Sequence, residues 1–118
     1  MQFLGVDHIL YYVHDLDRAK AFYRDVMGLP IMLDVPGFAG VSLGGGIWLG
    51  LHPTEMKGQD VGRGGFAYLR VADLDKTLNE LRARNVAILN EPGQVPMGRL
   101  ATIHDSEGNA IGLFEPAR

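Results

Sequence analysis

Cysteine does not occur in the 118 residues, which removes thiolate nucleophiles, thiolate metal ligands, disulfides and redox switching together. The absence fits a reducing or an oxidising compartment equally. There is no excess of positive charge either. Eleven Lys and Arg stand against fourteen Asp and Glu, a formal net charge of -3, so nothing here neutralises a polyanion and no nucleic-acid partner is expected. Long apolar runs are missing as well. The longest uncharged stretch, Val35 to Leu51, is broken by Pro36 and by Gly37, Gly40, Gly44, Gly45, Gly46 and Gly50, and reads as short strands and turns rather than a membrane span. Met1 to Asp7 lacks the basic-then-apolar pattern of a secretory signal, so the cytoplasm is the expected location.

What is present describes one globular domain over residues 1–118, with 47% hydrophobic and 21% charged residues. A chain of this length buries roughly two-thirds of its unfolded surface without a staple. Sixteen glycines are about 14% of the chain, twice the roughly 7% of average usage, and call for a backbone or spatial reason.

The order of the sequence supplies a frame. Val13-His14-Asp15-Leu16-Asp17 returns 58 positions later as Val71-Ala72-Asp73-Leu74-Asp75, and Gly46 to Leu51 returns 62 positions later as Gly108 to Leu113. Two tandem modules follow, about 1–56 and 62–118, the second carrying four extra residues that Asn90 to Met97 can absorb. Each opens with a β-rich run, Val6 to Val13 or Gly65 to Val71, and an aspartate at an N-cap position, Asp15 or Asp73. Apolar residues at helical spacing come next: Leu16, Ala19, Phe22, Tyr23 and Val26, or Leu74, Leu78 and Leu81. Three strands complete each module: Ile31 to Asp34, Ala39 to Leu43 and Gly46 to His52, then Ala87 to Leu89, Arg99 to His104 and Asn109 to Glu115. The predicted fold class is α+β, with βαβββ written twice.

Asp7-His8 opening the first strand, the run Asp15 to Tyr23 closed by Gly28-Leu29, and Asp105-Ser106-Glu107-Gly108-Asn109 before the last strand carry a resemblance over nearly the whole chain. The sequence resembles the vicinal oxygen chelate superfamily of glyoxalases, extradiol dioxygenases, fosfomycin-resistance transferases and bleomycin-resistance proteins. The resemblance implies eight strands curled into a cup that holds a ligand or a metal, and pairing as a homodimer, with or without exchange of halves between the two chains.

Strand parity separates two faces. Ile9, Tyr11, Val13, Ile47, Leu49, Leu51, Ala67, Leu69, Val71, Ile111 and Leu113 share the face expected under the helices. The opposite parity carries His8, Leu10, Tyr12, Trp48, Gly50, His52, Phe66, Tyr68, Arg70, Ala110, Gly112 and Phe114. These rings either fill a closed interior with their polar tips hydrogen-bonded, or line a pocket. The two glycines favour the pocket, because glycine within a strand often marks close approach by a ligand. The expected ligand-binding set is His8, Tyr12, Trp48, Gly50, His52, Phe66, Tyr68, Arg70, Gly112 and Phe114.

The resemblance also implies four metal-ligand positions, which fall here on His8, Gly50, Phe66 and Gly112. Only the first can bind a metal, and one imidazole does not retain a divalent ion against water. An improvised site would have to recruit His52 and Glu115, although Glu115 has the wrong parity unless its strand bulges. His14 and His104 are read as bystanders. No Ser-His-Asp arrangement is visible, and Gly44-Gly45-Gly46 precedes a strand, so it is a hairpin and not a phosphate cradle. Two functions of different class remain. One is a cofactor-free protein that binds a small aromatic or heterocyclic molecule. The alternative is a glyoxalase- or dioxygenase-type enzyme using His8, as the candidate catalytic residue, with a non-standard divalent metal.

Overall fold

The computed structural model describes residues 1, 2, 4, 6–54 and 67–117. The chain divides into two compact units, Met1–Asp60 and Val61–Arg118, each built from one βαβββ module.

In the first unit β1 (His8–Val13) leads into α1 (Leu16–Ala21), which loosens into a π-helical turn at Phe22–Val26; β2 (Ile31–Val35), β3 (Phe38–Ser42) and β4 (Trp48–Pro53) follow. The Asp15 carboxylate accepts the Arg18 N–H at 3.0 Å and so caps the helix. The sheet runs β1-β4-β3-β2, with β4 returning parallel to β1 and the other pairs antiparallel. Val13, Ala19, Tyr23, Val41, Leu49 and Leu51 are buried between α1 and the sheet. Ile47 departs from its expected place. It lies before β4 rather than in it and is 37% exposed, because the turn through Gly44, Gly45 and Gly46 takes the chain out of the ladder.

The second unit repeats the plan with β5 (Tyr68–Arg70), α2 (Leu74–Ala83), β6 (Ile88–Val95), β7 (Gly98–His104) and β8 (Ala110–Pro116), ordered β5-β8-β7-β6. Gly65 and Phe66, expected in the first of these strands, lie outside the described residues. Leu74, Leu78 and Leu81 form the buried stripe of α2, facing a sheet whose Ala101, Ile103, Ile111 and Leu113 are also buried. Asn85 ends the helix in the left-handed region at φ 63. The Val86 N–H reaches the Leu81 carbonyl and the Asn85 N–H the Arg82 carbonyl, both at 3.0 Å, which is a Schellman closure.

The four extra residues of the second module are not a loop. They lengthen the β6-β7 hairpin, whose first strand runs to Val95 through two register shifts that accommodate Pro92. The duplication is otherwise kept at the level of single pairs. Leu10 faces Gly50 as Tyr68 faces Gly112, and the Leu43 N–H bonds the Ile47 carbonyl as the Asp105 N–H bonds that of Asn109. Among the described residues no helix is long and apolar enough to cross a membrane.

Candidate functional site

Parallel pairing of β1 with β4 sets His8 beside Trp48, Leu10 beside Gly50 and Tyr12 beside His52. Ladder partners share a face, so these six residues lie opposite the buried Tyr11, Val13, Leu49 and Leu51. From β3, Gly40 stands beside Gly50 and Ser42 beside Trp48, and alternation puts Phe38 on the same open face.

The rings on this face touch in series. His8 stacks on Trp48 with centroids 4.3 Å apart and planes at 17°. Trp48 meets Phe38 edge to face at 6.0 Å, Phe38 meets His52 at 6.3 Å, and His52 meets Tyr12 at 5.9 Å. The three edge-to-face separations lie in the range where aromatic pairs attract beyond their buried area, and the stacked pair is closer still. Five rings therefore make one unbroken ribbon across the sheet.

Glycine beneath the ribbon has a steric reason. A Cβ at Gly40 would stand 3.0 Å from Trp48 Cε3 and 2.8 Å from Met32 Sδ; one at Gly50 would stand 2.9 Å from Phe38 Cζ. The space expected to be open at Gly50 is thus taken by the Phe38 ring, which reaches diagonally across from β3. Phe38 and Gly40 were absent from the expected set, although their alternation with the buried Ala39 and Val41 is a signal for the open face.

Both histidines of the ribbon are held from one side. His8 Nδ1 lies 2.8 Å from an Asp7 carboxylate oxygen, and His52 Nδ1 lies 2.9 Å from the Pro53 carbonyl oxygen. Neither oxygen can donate, so each Nδ1 carries the proton, and in the neutral ring each Nε2 is left as an acceptor. His8 is 39% exposed at its side chain. Four residues separate the Trp48 row from the His52 row, roughly 13 Å along the strand. Two nitrogens on one ion stand only about 4 Å apart, whereas the Trp48 and Phe38 rings lie between these two imidazoles, so the arrangement does not make them the improvised metal pair.

In the second unit the corresponding rows are Tyr68, Gly112, Thr102 and Asn90, and Arg70, Phe114, Leu100 and Gly93. The Tyr68 ring lies over Gly112, where an added Cβ would fall on it; this glycine too admits a ring rather than leaving a void. A cavity of about 320 Å³ is lined by Tyr68, Asn90, Gln94, Leu100 and Thr102 among others. Arg70 is exposed at the end of β5. Phe66 lies outside the described residues.

Glu115 belongs to a different task. Its Oε2 accepts the Leu74 N–H at 2.7 Å, so it helps cap α2 on the helix side of the sheet, and the β7-β8 register is unbroken at Glu115. It does not join His52 as a metal candidate. His14 donates from Nδ1 to the Thr54 carbonyl at 3.3 Å, and His104 sits in the β7-β8 ladder. Among the described residues no three His, Cys, Asp or Glu side chains gather at one point.

Residues 5–113 match the family profile described as the Glyoxalase/Bleomycin resistance protein/Dioxygenase superfamily. The chain is 28% identical over 121 residues to lactoylglutathione lyase GLX1 of Arabidopsis thaliana, covering 92% of this chain and 43% of that one. It therefore spans less than half the length of that relative. A second similarity, 40% over 51 residues, is to metallothiol transferase FosB of Staphylococcus epidermidis and covers 43% of this chain and 36% of the transferase. Among solved structures, TnmS3, an antibiotic binding protein from a Streptomyces species, superposes with a TM-score of 0.84 at 30% identity and covers 99% of both chains.

Proposed function

This chain belongs to the Glyoxalase/Bleomycin resistance protein/Dioxygenase superfamily, and we propose that within it the protein binds a flat aromatic or heterocyclic small molecule without a metal. The observation that carries the reading is the ribbon of His8, Trp48, Phe38, His52 and Tyr12 on an open sheet face. A planar ligand laid on such rings gains apolar burial and oriented ring contacts at little conformational cost. The likeness to an antibiotic binding protein over the full length of both chains supports the same direction.

The family's metal does not fit these residues. Two of the implied ligand positions are Gly50 and Gly112, each covered by a ring of its own unit, Phe38 and Tyr68, and a carboxylate at either would collide with that ring. The lyase and transferase similarities keep the enzymatic reading in view, and it has one observation of its own, the Asp7-held His8.

Calorimetric titration separates the two readings. Naphthalenesulfonate should bind while camphorsulfonate, aliphatic with the same charged group, should not; chelator treatment should leave the binding unchanged. Phe38→Ala should weaken it roughly three- to tenfold, as expected for loss of one ring contact. A stoichiometric divalent ion in the purified protein, lost in His8→Ala and needed for binding, would overturn the metal-free reading.

A further inference from the structure

The ribbon has a chemical polarity that its rings alone do not explain. Its two histidines lie in rows His8-Trp48 and Tyr12-His52, about 13 Å apart along the strands, and each has its Nδ1–H committed to an oxygen of a neighbouring residue. A neutral imidazole fixed in this way can only accept at Nε2. Between them lie Trp48 and Phe38, which offer ring surface and, apart from the indole N–H, no polar group. We infer that the face selects an elongated planar arene bearing a hydroxyl or N–H donor at each end, one donating to His8 Nε2 and the other to His52 Nε2, with the arene passing over the edge-to-face pair of Trp48 and Phe38, stacked on one ring and meeting the edge of the other. The inference rests on the aromatic-ligand reading and narrows its ligand class to hydrogen-bond donors.

Asp7 and the Pro53 carbonyl are positioning groups here. They hold the imidazoles in one tautomer, so that neither ring must reorganise to receive a donor. A ligand whose ends carry only acceptors would face two lone pairs and lose both bonds.

The test compares trans-stilbene carrying a para hydroxyl on each ring with its bis-methyl ether, which keeps the length and shape but has no donor. The titrations are run in mildly alkaline buffer. The diol should bind at least about tenfold more tightly than the ether, since each hydrogen bond contributes roughly three- to tenfold. His8→Phe and His52→Phe retain a ring at each end, so each should reduce diol affinity by about that factor and leave the ether unchanged. Equal binding of diol and ether overturns the inference while the aromatic reading stands. Failure of both to bind overturns both readings. A diol preference unchanged in both variants also overturns the inference. Nitrogen NMR of the unsubstituted protein gives an answer independent of variant folding. Both histidines should show Nδ1–H tautomers whose Nε2 resonances move on adding diol and not on adding ether; Nε2–H tautomers would overturn the inference.

Discussion

Gly98 shows how the lack of one Cβ holds the second sheet to its register. Its φ is +154, and an added Cβ would fall on the Glu115 carbonyl oxygen and within 2.9 Å of the Ala117 N, where β7 and β8 close. Gly98→Ala should cost about 1–3 kcal/mol in urea denaturation, whereas Gly93→Ala, with nothing within 4 Å of its Cβ, should be close to neutral. Asp105 is a second residue with a local duty. It is 6% exposed; its Oδ1 accepts the N–H groups of Glu107 and Asn109 at 2.8 Å, and its Oδ2 accepts from Asn109 Nδ2 at 3.0 Å. Asp105→Ala leaves those donors without their acceptor and should lower stability by about 1–3 kcal/mol in the same assay. The first module closes its equivalent loop with Gly44, Gly45 and Gly46, all at positive φ. One turn is thus made by backbone freedom and the other by a buried carboxylate.

At the scale of elements, α2 is fastened at its first turn. Asp73 caps the Lys76 N–H, Glu115 takes the Leu74 N–H, and Asp75 pairs with Arg99 of β7 through two bonds of 3.0 Å. The Arg99 hydrogen bonds, with its charge, hold the Asp75 carboxyl below its ordinary value of 3.8. A lowered folded value means the contribution is complete above the ordinary value and disappears as pH falls through the lowered one. The stability gap between the protein and Asp75→Asn should therefore be present at neutral pH and close in acid. Because the pair is on the surface, the gap should be small and shrink with salt. Helix starts of this kind were legible in the sequence because an N-cap is a local matter: Asp15 and Asp73 stand next to the periodic residues they serve. The reach of β6 to Val95 was not legible, since Pro92 and polar Asn90, Glu91 and Gln94 resemble a loop until two bulges take up the misfit. The rings over Gly50 and Gly112 were half legible. Parity identifies the face, but whether Phe38 of β3 lies across a glycine of the neighbouring β4 depends on diagonal reach, which alternation does not encode.

At the scale of the molecule, one supersecondary plan occurs twice with its open faces put to different uses. In the first unit the face carries five rings in series. In the second unit Thr102 occupies the row position held by Gly40 in the first, and Tyr68, Asn90 and Gln94 border a small cavity. The glycine excess follows the same division, since Gly40, Gly50 and Gly112 are seats for side-chain rings and not vacancies. The account stands on the first face being the ligand platform, and Trp48, the one tryptophan in the chain, joins His8 to Phe38 in its ring series. Intermolecular nuclear Overhauser contacts between a bound planar arene and the protein test this directly. The account predicts contacts from the arene to the Trp48 and Phe38 ring protons, with His8 and His52 at its ends. Contacts confined to Tyr68, Leu100 and Thr102, with none to Trp48 or Phe38, would contradict it.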